Sequence, residues 1–166
     1  ATDNIKVFYN GTSVEAELKT GENTSSATFE AAVGTATDYY AVYPASETAS
    51  MADGVITVTL PANQDGSFGA GHVAVAKAAD KTFTFTNVNA FLKMTFASAK
   101  YTRIVVESVG GQALAGDLTV TFADGAAVIG STYANTSSTV EVTSDEAFEA
   151  GDLYISVLPG VTHTQG

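Results

Sequence analysis

The amino-acid sequence predicts an all-β protein built as an antiparallel β-sandwich. Three observations support this: hydrophobic residues alternate with threonine, short strand-like segments recur along the chain, and Gly, Asn and Asp mark the turns between them. No window of useful length combines a helical hydrophobic period with helix-capping residues. The length of 166 residues suits one domain with a real core, and we expect residues 1–166 to form a single β-sandwich domain.

The first half of the chain begins with a hairpin signal. Asn10-Gly11 separates strand-like runs near 5–9 and 14–18, and Asn-Gly in such a place favours a two-residue hairpin turn. Further strand-like runs lie near 26–30, 38–43 and 54–61. In the last of these, Ile56 shares one face with the hydrophobic residues at every second position, while threonines occupy the other face. This alternation is typical of a half-buried strand.

The second half repeats the pattern. Residues 81–87 place Phe83 and Phe85 on one face, and Val140 and Val142 alternate with polar residues in the same way. The predicted strands of this half lie near 72–76, 81–87, 89–96, 102–109, 117–125, 126–129, 138–144 and 153–158. About a dozen short segments at this spacing are typical of a sandwich or barrel.

The charge distribution excludes some classes of partner. The net charge is −11, and residues 104–166 contain eight acidic residues and no Lys or Arg. Such a surface repels phosphate backbones and anionic lipid head groups, so we expect no nucleic-acid partner. No apolar run has transmembrane length. The chain begins at Ala1 without Met or a signal peptide, and we expect it to be a processed or trimmed product.

Three tyrosines in the segment "DYYAVYPAS" (38–46) are the candidate ligand-binding residues. In a strand, Tyr39 and Tyr43 lie on one face and Tyr40 on the other, and Pro44 ends the backbone pairing. One interpretation is packing at a strand end, with the hydroxyl groups reaching polar partners. The other is an aromatic platform for a sugar. The absence of Trp favours packing.

No catalytic, cofactor or metal site is predicted. The two histidines, His72 and His163, are not part of a recognisable catalytic motif, and "GxSxG" is absent. The lack of Cys excludes disulfides, thiol catalysis and iron–sulfur clusters. An acidic stretch at 143–152 offers oxygen ligands that Ca²⁺ could use, but it lacks the spacing of an EF-hand loop. Its carboxylates, expected to form a solvated turn, are Asp145, Glu146, Glu149 and Asp152.

The order and spacing of the segments resemble those of fimbrillin-like proteins of anaerobic Gram-negative bacteria. The segments concerned are "DNIKVFY" (3–9), "SSATFE" (25–30), "DYYAVYPAS" (38–46), "ITVTLPANQDGSF" (56–68), "HVAVAKA" (72–78), "FTFTNVNAFLKMTF" (83–96), "RIVVESVGGQALAGDLTVTF" (103–122) and "GDLYISVLPG" (151–160). The resemblance covers nearly the whole chain and corresponds to the N-terminal domain of that family. From this resemblance we expect the chain to be an N-terminal domain without the family's lipid-anchored leader and second domain.

The resemblance implies a function. Fimbrillin-like proteins are exported lipoproteins that a trypsin-like protease matures, and they have transthyretin-like β-sandwich domains. They assemble at the outer membrane into type V pili when one subunit donates a β-strand to the next. We therefore expect a structural or adhesive subunit of a cell-surface fimbria, not an enzyme, without cofactors. Its partners would be other fimbrial subunits, as a homopolymer or with tip and anchor proteins, together with surface glycans or proteins. The alternative is a surface carbohydrate-binding module.

Overall fold

The structure is a computed structural model that describes residues 3–66, 71–98 and 100–160. These residues form sixteen β-strands, which confirms the all-β prediction. The first eight are β1 (Ile5–Tyr9), β2 (Thr12–Thr20), β3 (Thr28–Glu30), β4 (Tyr39–Tyr43), β5 (Ser50–Ala52), β6 (Val55–Leu60), β7 (Asn63–Gln64) and β8 (Ala74–Ala78). The others are β9 (Thr86–Asn87), β10 (Ala90–Phe96), β11 (Arg103–Glu107), β12 (Ala115–Ala123), β13 (Ala126–Ile129), β14 (Ala134–Ser137), β15 (Thr139–Thr143) and β16 (Gly151–Val157).

The chain divides into two compact units whose segments alternate along the sequence. Unit 1 contains the residues up to 58 together with 73–88 and 119–129. Unit 2 contains 59–72, 89–118 and the residues from 130 onward. Strands β6 and β12 belong to a sheet of order β13-β12-β6-β5, with β14 also paired to β12, and each of the two contributes residues to both units. The assignment of 1–166 to a single domain stays a prediction.

Unit 1 contains a six-stranded sheet of order β3-β2-β1-β4-β8-β9. Because side chains alternate along a strand, both faces of this sheet carry hydrophobic residues. One face carries a cluster whose buried members are Ile5, Val7, Ala16, Ala41 and Ala76. On the other face, the Tyr40 ring of β4 contacts the Phe122 ring of β12, with ring centroids 5.7 Å apart. Two layers of strands therefore pack in unit 1, as in a β-sandwich.

In three hairpins of unit 1, the two central turn residues are Asn or Asp followed by Gly. Type I′ turns need positive φ at both central residues, and Asn or Asp followed by Gly meets that need. In the β1–β2 hairpin Asn10 has φ 48° and Gly11 has φ 73°, as the Asn-Gly signal predicted. The same turn joins β5 to β6 and β12 to β13 at the pairs Asp53-Gly54 and Asp124-Gly125.

Unit 2 contains a two-stranded sheet, β10-β16, and a three-stranded sheet, β11-β15-β7. Their inner faces share one hydrophobic cluster, and its buried members are Leu114, Ala115, Val140, Val142, Leu153, Ile155 and Val157. The two sheets of unit 2 therefore pack face to face. The ladders β10–β16 and β11–β15 are antiparallel, as predicted, whereas the short strand β7 pairs with β15 in parallel.

Some strand boundaries differ from the prediction. Residues 81–87 contain a strand only at Thr86–Asn87, although Phe83 and Phe85 pack half-buried against the cluster of unit 1 as their alternation predicted. Strands β5, β7 and β14 were not predicted from the sequence. They are only two to four residues long, too short for the alternation of hydrophobic and polar residues to identify.

Candidate functional site

One side of unit 2 is closed by the side chain of Gln64. Its Nε2 donates a hydrogen bond of 2.8 Å to the carbonyl of Ser156, and its Oε1 accepts one of 3.0 Å from the Ser156 N–H. The amide thus pairs with β16 as a neighbouring strand would. The backbone of Gln64 belongs to β7, which pairs with β15, so this residue links the two sheets of unit 2. Ser156 is only 1% exposed and Gln64 is half-buried, so these bonds are partly buried.

The opposite side of unit 2 is formed by β10 and β11, and no further strand of the described residues covers it. Among the described strands, β10 pairs only with β16 and β11 only with β15. The inward hydrophobic residues of these two strands are only partly buried, and they are Leu92, Met94, Phe96, Ile104 and Val106. By contrast, Val140 and Ile155 on the neighbouring strands are 0% exposed. We call the β10 and β11 edges, with these five residues, the open side.

The backbone at the open side presents hydrogen-bonding groups outward. Ser108 N–H bonds to the Ser138 carbonyl at 2.9 Å, which places the even-numbered residues of β11 toward β15. The N–H and C=O groups of Val105 therefore point away from β15. In β16, Ser156 directs its N–H and C=O to Gln64, so every second residue of β16, including Tyr154, points these groups away from β10. Lys93 is the register partner of Tyr154, and its own N–H and C=O therefore point away from β16. No other strand of the described residues pairs with either edge, so each edge can accept a further strand.

Two ion pairs hold the open edges to their inner neighbours. Lys93 Nζ lies 2.6 Å from Asp152 Oδ2, and Arg103 makes two hydrogen bonds to Glu141, of 2.7 and 2.6 Å. The hydrogen bond from Lys93 lowers the pKa of the Asp152 carboxyl, with a further contribution from a Thr95 hydroxyl bond. The Arg103 guanidinium lowers the pKa of Glu141 in the same way. All these groups are solvated, so their effect on stability is small and depends on salt.

The Lys93–Asp152 pair predicts a titration that NMR can measure. The pKa of Asp152 is lower in the folded protein than in the unfolded chain. The stabilisation from the pair is therefore fully present above the unfolded pKa of Asp152, and it disappears as pH falls through the folded pKa. We expect the carboxyl carbon of Asp152 to titrate below the usual range for Asp. Lys93→Met should move its midpoint upward, whereas the control Lys19→Met, which removes a pair with Glu17 and Glu30, should not. Equal midpoints in Lys93→Met and the wild type would contradict the assignment.

The three predicted tyrosines are separated by the pleat of β4. Tyr39 is 3% exposed, and its hydroxyl donates to the Gly34 carbonyl and accepts from the Ala36 N–H, each at 2.9 Å. Tyr43 lies on the same face, precedes Pro44 through a cis peptide bond, and donates to the Asp3 carboxylate at 2.9 Å. Burial, followed by the bond to Asp3, raises the pKa of Tyr43. Both tyrosines are held by packing and hydrogen bonds on this face.

Tyr40 lies on the other face of β4. Its ring packs edge-on against Phe122, and Lys77 Nζ lies 5.3 Å from the ring centroid. Tyr40 also lines a cleft of unit 1. The three rings therefore do not form one flat platform, and Tyr40 lines this cleft whereas Tyr39 and Tyr43 do not.

The remaining predicted positions do not converge on one site. The His72 ring lies 6.2 Å from the Phe91 ring, while His163 is outside the described residues. In the acidic stretch, Asp145, Glu146 and Glu149 are exposed, and Asp152 belongs to the ion pair with Lys93. Within residues 3–66, 71–98 and 100–160, no group of three or more His, Cys, Asp or Glu residues is arranged to hold a metal ion.

The sequence did not indicate Gln64 or the open side. Gln64 lies in the polar stretch "PANQDG", where no hydrophobic alternation marks a strand. The open side depends on which strands are neighbours, and alternation within a single strand carries no such information. In the described part of the chain, no helix has the length and apolar character needed to cross a membrane. No family model, no curated protein and no solved structure matches the chain.

Proposed function

We propose that this protein is a structural subunit of a cell-surface fimbria, assembled when a neighbouring subunit adds an extended strand to the open side of unit 2. The single observation that carries the proposal is the incomplete core at β10 and β11. Their inward hydrophobic residues are half-buried, while those of β15 and β16 are fully buried. A strand that enters this side would cover the exposed hydrophobic area and pair with an outward backbone edge.

The two sides of unit 2 differ in a way that fits this mechanism. Gln64 occupies the backbone groups of Ser156, so that edge of β16 offers fewer partners to an incoming strand. The edges of β10 and β11 have no such cover among the described strands. An incoming strand would thus be directed to one side. Its own sequence should alternate, because every second side chain would face Leu92, Met94 and Val106.

The resemblance to fimbrillin-like proteins supports the remaining parts of the proposal. On that basis the fold is transthyretin-like, the chain corresponds to an N-terminal domain, and the protein acts at the outer surface of the cell as part of a pilus. Its partners are further fimbrial subunits, and its role in adhesion follows from its place in the polymer. Catalysis and cofactors have no part in this function.

Two substitutions of Val105 test the proposal at one position. Val105 is 45% exposed and its N–H points outward, so Val105→Pro removes a donor that the β11–β15 ladder does not use. Val105→Lys keeps that donor and serves as the matched control. Polymer from the cell surface is analysed on an SDS gel without boiling. We expect a ladder that collapses on boiling for the wild type and Val105→Lys, and its loss for Val105→Pro.

Thermal unfolding of the purified chain accompanies the gel. The melting temperature of Val105→Pro should stay close to that of Val105→Lys, so that loss of the ladder reports assembly instead of unfolding. A single monomer band for the wild type would overturn the proposed function. A ladder that persists in a folded Val105→Pro variant would overturn the role of the β11 edge.

A further inference from the structure

Unit 1 contains a cleft of about 780 Å³ that the assembly proposal does not use. Its lining includes the turn residues of the β1–β2 and β5–β6 hairpins, which are Asn10, Gly11, Asp53 and Gly54. This volume is within the usual range for small-ligand sites, about 300 to 1,000 Å³. No Cβ at Gly11 or Gly54 would meet another atom within 4 Å, so the space above both turns is open.

Lys6 supplies a hydrogen-bond donor to this cleft. Its Nζ is partly buried and donates to the carbonyls of Ser46 at 3.1 Å and Ala49 at 2.8 Å. Among the described residues no carboxylate forms an ion pair with it. An ammonium group has three N–H donors, so the two carbonyls leave one, and the Phe8 ring, whose centroid lies 5.7 Å from Nζ, competes with a ligand for it. The bonds to the two carbonyls also fix the position of the ammonium group.

Acceptors and apolar surface surround this donor. The carboxylates of Glu47 and Asp53 line the cleft and are exposed, and neither forms an ion pair or a hydrogen bond to another described side chain. The hydroxyl groups of Ser13 and Ser50 line it as well. The apolar part of the lining is formed by Phe8, Tyr40 and Met51. Donors, acceptors and apolar groups thus face one space.

We propose that this cleft binds a neutral sugar unit. A sugar ring presents hydroxyl groups, which both donate and accept, and an apolar C–H face, and the lining offers a partner for each. One ammonium and two carboxylates give the lining a net charge of −1, which disfavours anionic ligands. The Lys6 ammonium also lines the cleft, so it partly offsets the attraction of Glu47 and Asp53 for a cationic ligand.

This inference does not depend on assembly. All the lining residues belong to unit 1, whereas the residues of the open side belong to unit 2. A variant that cannot polymerise should therefore bind the sugar normally. Conversely, the polymer should form when the cleft is altered.

The test uses the whole chain and a series of probes that differ in charge. Methyl glycosides of glucose, galactose, mannose and N-acetylglucosamine are titrated at millimolar concentrations and followed through the backbone amide signals in ¹H–¹⁵N NMR. Glucosamine and glucuronate serve as cationic and anionic probes. We expect at least one neutral glycoside to shift the amides of Ser13, Ser50 and Gly54 in a saturable manner. Glucuronate should bind more weakly.

A matched pair of double variants locates the site. Glu47→Ala with Asp53→Asn removes both carboxylates of the cleft, and Asn tolerates the positive φ of position 53. Glu22→Ala with Asp124→Asn makes the same changes at an exposed loop and at the equivalent Asp-Gly turn of β12–β13, outside the cleft. The first pair should weaken the affinity by about tenfold or more, because two charge-assisted hydrogen bonds are lost. The second should leave it unchanged.

Three results would overturn the inference. One is that no neutral glycoside shifts the amides of the cleft. Another is that only glucosamine or only glucuronate binds, which would show that the cleft recognises the charge of the ligand and not the sugar ring. The third is that the cleft variant and its control bind a glycoside equally well.

Discussion

Replacing Gln64 by glutamate is expected to lower the free energy of unfolding by about 2 to 4 kcal/mol at pH 7. A carboxylate has nearly the same shape but cannot donate to the Ser156 carbonyl, which Gln64 now binds at 2.8 Å. That carbonyl would stay buried without its partner and would face a negative charge. Urea unfolding measures the change. Asn63→Asp is the matched control, because it adds the same charge at the adjacent, exposed position and should cost little.

Acid should partly restore the Gln64→Glu variant. Burial and the nearby carbonyl raise the pKa of such a glutamate above its value in the unfolded chain. The protonated glutamate can again donate a hydrogen bond to the Ser156 carbonyl. The stabilisation from this bond is therefore present below the unfolded pKa of the glutamate and is lost as pH rises through its folded pKa. The stability difference between Gln64→Glu and Asn63→Asp should therefore shrink as pH falls toward 4. A stability difference between the two variants that stays constant with pH would show that the hydrogen bonds from Gln64 to β16 contribute little to stability.

The two valines of one rung in the β11–β15 ladder should respond very differently to truncation. Val106 and Val140 are direct partners in the register, and both belong to the cluster of unit 2. Val140 is 0% exposed, and we expect Val140→Ala to cost about 2 to 3 kcal/mol through lost burial and the cavity left behind. Val106 is only half-buried, and Val106→Ala should cost about 1 kcal/mol or less. Denaturant unfolding of the isolated chain compares them.

Binding of a strand at the open side should change the effect of Val106→Ala relative to that of Val140→Ala. A donated strand would complete the burial of Val106, so Val106→Ala should weaken assembly in addition to its small effect on the isolated chain. Val140→Ala should have no such additional effect. Equal unfolding costs for the two variants would mean that the β11 side is as well covered as the β15 side, which contradicts the open side.

Much of the fold followed from alternation within strands. The pattern around Val140 and Val142 predicted a strand with one buried face, and both residues are 0% exposed. The Asn10-Gly11 pair predicted the first hairpin, because few other residues adopt positive φ at both positions. The same reasoning separated Tyr40 from Tyr39 and Tyr43. In each case the information lies within a few neighbouring residues.

The candidate sites depend on strand order, which no single segment encodes. Gln64 is one polar residue in a polar stretch, and its partner Ser156 is 92 positions away. The half-burial of Leu92 and Val106 becomes visible only when their strands are known to lie at sheet edges. The cleft of unit 1 requires two hairpin ends to meet, although residues such as Phe8 and Met51 are distant in sequence. Such features arise from long-range pairing.

The alternation of the two units along the chain has a consequence for biosynthesis. Unit 1 needs residues 119–129, and unit 2 needs the strands beyond them, so neither can be completed early in synthesis. Long-range strand pairing of this kind is slow, because chain closure costs entropy before contacts form. A chain of this topology therefore completes its folding only after the strands beyond residue 129 have been synthesised. During that interval its unpaired strands are exposed to aggregation, so the timing of folding matters as much as its final stability.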